Sequence, residues 1–211
     1  MQSMAKSQKL RNIFIPALIV MLTIGLSPSL GLSATYQIYP TADASVFSGV
    51  SVANVNFGTD NVLLVYMAGS ITTLYAYSFL KFDLRSINSF ETITGVSLYA
   101  YCYNNTTPTT PTIQLRPVSD TTWLETGITW NNKPPYGDLI AATLGTIGWK
   151  QWNIPLANLP ETGLVSFLLM TQTGGQSHFY SRESATNRPY LQVTTTGKPK
   201  ASPGTYLLLL D

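Results

Sequence analysis

The stretch that most constrains the fold of this chain is residues 123–134, with the sequence W-L-E-T-G-I-T-W-N-N-K-P. Gly127 and the threonines disfavour a helix, and the prolines at 134 and 135 require extended or turn backbone before them. A tryptophan in a loop between strands usually closes the end of a hydrophobic core, because one ring buries roughly 150–250 Å². The segment is therefore predicted to be a loop with structural tryptophans, and ligand contact by Trp130 is the alternative.

Elsewhere in residues 35–196 apolar and polar side chains alternate with a period of two, which is typical of β-strands. In residues 95–103, for example, an apolar phase that includes Leu98 and Cys102 alternates with a phase of tyrosines. Strands are predicted at 35–46, 61–67, 75–84, 95–103, 113–118, 139–147, 149–154, 163–172, 177–181 and 190–196, with one helical turn possible at 156–159. Short strands separated by turn signals predict an all-β fold, a single jelly-roll-like antiparallel β-sandwich.

The first 33 residues have the pattern of a signal peptide. Lys6, Lys9 and Arg11 precede an apolar run at 13–26, and a small-x-small site ends at Ser33. As a helix this run would extend about 21 Å, short of the ~30 Å hydrocarbon core. Because the uncharged run continues to residue 32, an uncleaved anchor is the alternative, and it is the only predicted contact with a membrane.

The remaining chain divides into a domain at 34–196 and a tail at 197–211. Removing the three basic residues of the N-terminal segment lowers the formal net charge from +2 to −1, so nucleic acid is not a predicted partner. Only 10% of the residues are charged, which suits an exported protein, secreted or at the cell surface. The tail reads as a linker followed by a short apolar segment at 206–210, which could pair with a sheet edge.

Several motifs of this chain, in order, resemble those of the DNRLRE domain family, which overlaps carbohydrate-binding module family 96 and the disaggregatase-related repeats. They are A-D-A-S-V from Ala42, N-F-G from Asn56, F-L-K-F-D-L from Phe79, the segment 123–134, and S-R-E from Ser181 with R-P-Y-L from Arg188. The structural motif residues are Trp123, Trp130, Asn131, Asn132, Pro134, Arg182 and Glu183. The resemblance implies a non-catalytic β-sandwich that binds carbohydrate.

Two groups of tyrosines are the candidate glycan-binding residues. They are Tyr75 and Tyr77 on one predicted strand, and Tyr99, Tyr101 and Tyr103 on another. Sugars stack their C–H faces on aromatic rings, so neighbouring strands would make these residues one platform. The alternative is that a tyrosine face lines the sandwich interior.

The predicted function is binding of a polysaccharide or cell-surface glycan through this aromatic face. The alternative is a self-assembling subunit of an extracellular filament or surface layer, joined by strand exchange or β-augmentation. The uncharged, aromatic faces and the apolar tail favour that alternative.

Catalysis is not predicted from these residues. His178 is the one histidine, and the sequence shows no phosphate loop, no paired Cys/His metal spacing and no local pair of glycosidase carboxylates. The single cysteine, Cys102, excludes an intramolecular disulfide and falls on the apolar phase of its strand, so a buried thiol is expected.

No cofactor is certain from the sequence, and a structural calcium ion is the one candidate. Asp43, Asn56 and Asp60 lie in a loop-rich stretch and could converge on it, although no EF-hand spacing supports the site. Arg182 and Glu183 are adjacent on a predicted strand and should face opposite sides. Asp83 is the predicted ion-pair partner of Arg182 or Arg188.

Overall fold

The computed structural model describes residues 33–68, 74–87, 90–105, 109–160 and 163–197. The predicted signal peptide, apart from Ser33, and the apolar tail segment lie outside these residues. Within the described part of the chain, none of the helical segments has the length and apolar character needed to cross a bilayer.

The described residues form an antiparallel β-structure with two short 3₁₀ turns, at Leu84–Ser86 and Leu156–Asn158. The strands are β1 Ser33–Ile38, β2 Ala42–Phe47, β3 Val62–Ala68, β4 Leu74–Asp83, β5 Thr92–Asn104, β6 Thr112–Val118, β7 Ala141–Leu144, β8 Gly148–Ile154, β9 Leu164–Thr171, β10 Gly175–Tyr180 and β11 Tyr190–Thr196. The predicted all-β sandwich is confirmed.

The strands belong to one hydrogen-bonded sheet that curls into two facing halves. One half contains β1, β11, β5 and β8, and the other contains β2, β4, β9, β6 and β7. The β3–β10 pair joins the halves, because β10 also pairs with β5 and β3 also pairs with β4. This arrangement places one face of β5 and one face of β4 on opposite sides of a shared core.

The core between the halves follows from the period-two pattern of the sequence. Leu98, Ala100 and Cys102 of β5 point inward with 0% exposure, as predicted. They pack with the inward side chains of the opposite half, such as Phe82 and Phe167. The Cys102 thiol is buried as expected, and burial raises its pKa.

The predicted strand 35–46 is two strands in the structure. Tyr39 and Pro40 interrupt it, and β1 pairs with β11 whereas β2 pairs with β4. A proline has no N–H to donate to a sheet ladder, so it favours a break of this kind. The chain can therefore cross from one half of the sandwich to the other.

Strand β4 is buried on both of its faces. Leu80 and Phe82 point into the main core, while Tyr77 and Phe79 belong to a second hydrophobic cluster on the opposite face. The segment 123–134, called the covering segment below, lies over that second face and contributes Trp123 and Ile128 to the cluster. It contains turns and no helix or strand, as predicted.

Lys81 fixes the covering segment to β4. It shares the face of Phe79, and its Nζ donates to the carbonyl oxygens of Trp123 at 2.6 Å and Thr121 at 3.2 Å. The ammonium group also lies 4.6 Å from the centre of the Trp123 ring. Burial lowers the Lys81 pKa. Buried carbonyls need donors, so this side chain satisfies groups that the loop could not otherwise pair.

We expect Lys81→Met to destabilise the protein by about 2–4 kcal/mol, because one or two buried carbonyls lose their donor. Lys150→Met is the control, since the Lys150 ammonium donates to Thr146 Oγ1 in an exposed hydrogen bond rather than to a buried carbonyl. Its cost should stay within about 0.5 kcal/mol. Urea unfolding of both variants measures the difference, and equal stabilities would contradict the anchoring role of Lys81.

Candidate functional site

The outward face of β5 carries the tyrosines that the sequence singles out, and neighbouring strands extend them. Residues opposite each other in an antiparallel pair point to the same face of the sheet. Tyr99 is opposite Tyr190 of β11, and Tyr101 is opposite Trp149 of β8. Tyr180 of β10 stacks on both Tyr101 and Tyr103. These six residues, called the aromatic array below, are Tyr99, Tyr101, Tyr103, Trp149, Tyr180 and Tyr190.

The tyrosines of the array stack on one another across strands. The ring centres of Tyr99 and Tyr190 are 5.0 Å apart with planes 10° apart, and those of Tyr103 and Tyr180 are 4.6 Å apart at 22°. Each stacked pair covers one face of each ring with its partner. The array therefore offers a ligand mainly ring edges, hydroxyl groups and the outer faces of its end members.

Trp149 is the most exposed ring of the array, with 44% of its surface accessible. It meets Tyr101 and Tyr190 edge-on, with ring centres 5.4 and 5.5 Å away. A ring held by two neighbours and open to solvent is well placed to stack on a sugar at little cost in side-chain entropy. The sequence analysis did not select Trp149, because its alignment with Tyr101 depends on strand register.

Amide and hydroxyl groups lie beside the array on the same face. Gln151 is opposite Tyr99, and Asn153 is opposite Ser97. The Asn153 Oδ1 accepts hydrogen bonds from Gln151 Nε2 at 2.8 Å and from Ser97 Oγ at 2.9 Å. This combination of aromatic rings with amides matches the two needs of a sugar, an apolar surface for C–H groups and partners for hydroxyls.

One end of the array opens into a groove of about 330 Å³ lined by Tyr39, Trp149, Arg188 and Tyr190, among others. The Arg188 guanidinium lies 4.6 Å from the centre of the Tyr39 ring. Asn187, beside it, has a φ of 53°, a left-handed conformation that asparagine tolerates better than most residues. The groove places a cation and a tight turn at the edge of the aromatic surface.

Tyr75 and Tyr77 do not join this face, which corrects the single platform expected from the sequence. They point to the second face of β4, where Tyr77 is only 6% exposed. Trp130 of the covering segment stacks parallel to Tyr75 at 6.0 Å and lies 5.0 Å from Tyr77. Tyr77 is therefore unavailable to a ligand, because the covering segment occupies its face.

His178 lies at the other end of the array, with its ring 5.8 Å from Tyr103. Burial lowers its pKa, so the ring is neutral at pH 7. The Gln176 Nε2 donates to the His178 Nε2 at 2.6 Å, because an amide nitrogen cannot accept, so the ring proton is on Nδ1. The guanidinium of Arg182, which is close to His178 in the sequence, hydrogen-bonds to Glu125.

The family-like motifs meet in a second place, a charged cluster of Asp43, Glu125, Arg182 and Glu183. Arg182 Nη1 donates to both Glu125 oxygens, at 3.0 and 2.9 Å, and the Asp43 backbone N–H donates to Glu125 Oε1 at 2.9 Å. The Arg182 backbone N–H donates to Asp43 Oδ2 at 2.8 Å. Burial raises the pKa of the Asp43 carboxyl well above its usual range, and the charges of Glu183 and Glu125 add to the effect.

Two expectations about ion pairs are wrong, because Arg182 and Glu183 were not expected to pair and Asp83 was expected to pair with Arg182 or Arg188. Arg182 also contacts Glu183, with Nη1 3.3 Å from Oε1, although adjacent strand residues should face opposite sides. The reason is that β10 ends at Tyr180, so both residues lie in the following turn. Asp83 pairs with Arg85 in the 3₁₀ turn rather than with Arg182 or Arg188.

Asn56 and Gly58 hold the backbone of the covering segment. The Asn56 Nδ2 donates to the carbonyl oxygens of Glu125 at 2.7 Å and Ile128 at 2.8 Å. Its Oδ1 accepts from the Gly58 N–H at 3.2 Å. A side chain engaged in this way acts as a structural clamp.

The residues predicted to hold calcium, Asp43, Asn56 and Asp60, are therefore not brought together as one ligand set. The Asn56 side chain binds the covering segment, and the exposed Asp60 lies outside the group of carboxylates around Asp43. Asp60 contacts the turn after β10 through its backbone carbonyl, which accepts a hydrogen bond from Ser181 Oγ. Asp43 is the member of the predicted set that lies in the charged cluster.

The rest of the motif also makes contacts within the protein. Asn132 Oδ1 accepts from the Thr129 N–H at 2.6 Å, and its Nδ2 donates to the Gly127 carbonyl at 2.9 Å. Asn131 Nδ2 donates to Asn54 Oδ1 at 2.7 Å. Pro134 is buried at the end of the segment. Hydrogen bonds within the protein therefore account for the asparagines of the covering segment, and no ligand is needed to explain them.

The chain belongs to carbohydrate-binding module family 96. The family model matches residues 34–195, which is nearly the whole described domain. This match confirms the predicted membership of a carbohydrate-binding module family.

Two known proteins resemble parts of this chain. A gellan lyase from a Bacillus species is 29% identical over 191 residues, covering 85% of this chain but only 8% of the lyase. A Clostridium thermocellum xylanase 10B structure, of the CBM22-1–GH10 modules complexed with xylohexaose, gives a TM-score of 0.31 at 12% identity. That match covers 79% of this chain and 29% of the xylanase chain.

Gly58→Ala tests the close approach between the N-F-G turn and the covering segment. A Cβ at Gly58 would lie 2.0 Å from the Glu125 carbonyl oxygen, so the backbone would have to move. We expect a loss of about 1–3 kcal/mol or more. Gly127→Ala is the control, because its added Cβ would meet Leu124 only at an ordinary 3.5 Å. Chemical denaturation should separate the two variants. An unchanged free energy of unfolding for Gly58→Ala would contradict the close approach of the N-F-G turn to the covering segment.

Proposed function

We propose that this chain is a non-catalytic module that binds an extended polysaccharide along the aromatic array, on a protein that acts outside the cell. Membership of carbohydrate-binding module family 96 supports carbohydrate binding. The single observation that supports the aromatic array as the binding face is its continuous band of rings beside the amides of Gln151 and Asn153.

The shape of the array favours a chain over a single sugar. The rings follow one another at 4.6–6.0 Å across four neighbouring strands, on an open face rather than in a deep pocket. An open face can accommodate consecutive sugar units of a polymer. With few stacked rings, the affinity of one module should be about mM to μM, roughly 4–8 kcal/mol. Several modules on one surface would strengthen attachment by avidity.

The similar proteins suggest which polymer to test first. One is named a gellan lyase, so gellan is a reasonable first ligand. Arg188 at the groove would favour an acidic polymer over a neutral one, because a guanidinium pairs well with carboxylates. The module itself would hold the polymer while any cleavage is done elsewhere.

Trp149→Ala should weaken polysaccharide binding at least tenfold, about 1.4 kcal/mol, because the most exposed ring of the array is lost. Tyr136→Ala is the matched control: Tyr136 is also exposed, at 37%, but contacts Tyr77 on the other face of the sandwich. Affinity electrophoresis in gels containing gellan or other polymers, followed by calorimetry, measures both. Thermal melts establish that each variant is folded.

Two results would count against this function. Equal retardation of the Trp149 and Tyr136 variants would exclude the array as the binding face. Release of new reducing or unsaturated ends from a polymer, lost in His178→Ala, would show that the domain is catalytic.

Self-assembly, the alternative inferred from the sequence, stays a prediction, since its tail segment lies outside the described residues. Light scattering and electron microscopy on the purified chain at rising concentration separate it from a binding module. Ordered polymers that disappear on removal of residues 198–211 would favour the filament subunit, whereas a monomer that binds polysaccharide would favour the module.

A further inference from the structure

The charged cluster contains a buried oxygen that has no hydrogen-bond partner. Asp43 is 1% exposed, and its Oδ2 accepts from the Arg182 backbone N–H at 2.8 Å. Its Oδ1 is the buried side-chain atom left without a partner in the part of the chain that the structure describes. A buried carboxylate oxygen without a donor costs about 1–3 kcal/mol or more, so this atom indicates something that the protein atoms do not supply.

The charges around this atom do not balance. Asp43, Glu125 and Glu183 each place one carboxylate oxygen within 4.8 Å of the other two, and Arg182 is the one cation that contacts them in the described residues. When Asp43 is ionised, the three carboxylates and one guanidinium leave a formal charge of −2. One divalent cation would neutralise the cluster.

The spacing also fits a cation with oxygen ligands. Calcium binds oxygens at 2.3–2.6 Å, so two oxygens on one ion are at most about 5 Å apart. The separations of up to 4.8 Å among the three carboxylates lie within this limit. Carboxylate oxygens are the ligands that calcium prefers, and zinc would be expected with histidine or cysteine instead.

We propose that Asp43, Glu125 and Glu183 form a binding site for a calcium ion, with Asp43 Oδ1 as its buried ligand. Arg182 then positions the Glu125 carboxylate through its two hydrogen bonds and remains outside the ligand set. The ion would tie β2, the covering segment and the turn after β10 to one another. This site is distinct from the calcium set predicted from the sequence, with which it shares only Asp43.

Two other occupants of the space make different predictions. A proton on Asp43 would remove one negative charge, and the Glu125 and Glu183 oxygens of the same cluster could accept a hydrogen bond from it. A buried water molecule would satisfy the oxygen but leave the charge of −2 in place. Neither alternative would make the stability of the protein depend on calcium.

The test is calcium titration of chelator-treated protein, by calorimetry and by thermal unfolding. We expect one ion per chain and a Tm rise of about 5–10 °C when calcium is 100 times Kd. Magnesium at the same concentration should give a smaller rise, because it requires a tight octahedron at 2.0–2.1 Å. Equal rises would overturn the choice of calcium.

Glu183→Gln is the decisive variant, because Glu183 is exposed and its loss should leave the fold intact. We expect it to lose at least tenfold in calcium affinity, and Asp43→Asn to abolish the calcium-dependent Tm shift. Asp138→Asn, which removes an exposed carboxylate outside the cluster, should keep both responses.

The proposal is overturned if calcium up to about 10 mM, beyond the range of weak extracellular sites, gives neither heat nor a Tm shift. It is also overturned if Glu183→Gln responds like the unmodified chain. Neither readout involves a polysaccharide, so the calcium site and the aromatic array succeed or fail separately.

Discussion

The fold depends on covering the second face of β4. A strand that is apolar on both sides cannot lie at the surface of a two-layer sandwich, so Tyr77 and Phe79 require a lid. The covering segment provides it with Trp123, but a loop brings backbone carbonyls into a place without water. Lys81 supplies a donor to the Trp123 carbonyl of the segment and to the Thr121 carbonyl just before it. Other contacts of the motif, including those of Asn56 and Glu125, keep this polar loop satisfied while it covers an apolar face.

The need to cover β4 also explains why tyrosines with similar spacing differ in their exposure to solvent. Tyr75 and Tyr77 alternate with core residues just as Tyr99 and Tyr101 do. The outer face of β4 is occupied by the covering segment, whereas strands β8, β10 and β11 flank β5 and leave its outer face open in the part of the chain that the structure describes. Cross-strand neighbours then stack on the tyrosines of β5 and hold them in place without enclosing them. A held but accessible set of rings is what binding a sugar chain requires.

The sequence was sufficient where local chemistry decides the outcome. Period-two alternation predicted most strands and the burial of Cys102, and the glycine and prolines of the covering segment predicted a loop. It was insufficient where partners come from distant strands. Nothing near Trp149 in the sequence shows that it lies opposite Tyr101, because register is set by tertiary pairing. The contact of Arg182 with Glu183 depends on β10 ending two residues earlier, and strand ends are poorly marked by alternation.

Because the charged cluster and the aromatic array are separate, a module of this kind can change its ligand without changing its fold. The motif residues, from Asp43 to Glu183, serve the fold, because they satisfy buried groups and fix the covering segment. Substitutions of the buried members, such as Asp43 and Trp123, would cost stability whatever the ligand. The aromatic array faces solvent and supports itself by stacking, so residues such as Trp149 and Arg188 can vary with little effect on the core. The motif residues therefore define this fold, and the identity of the polysaccharide has to be determined at the array.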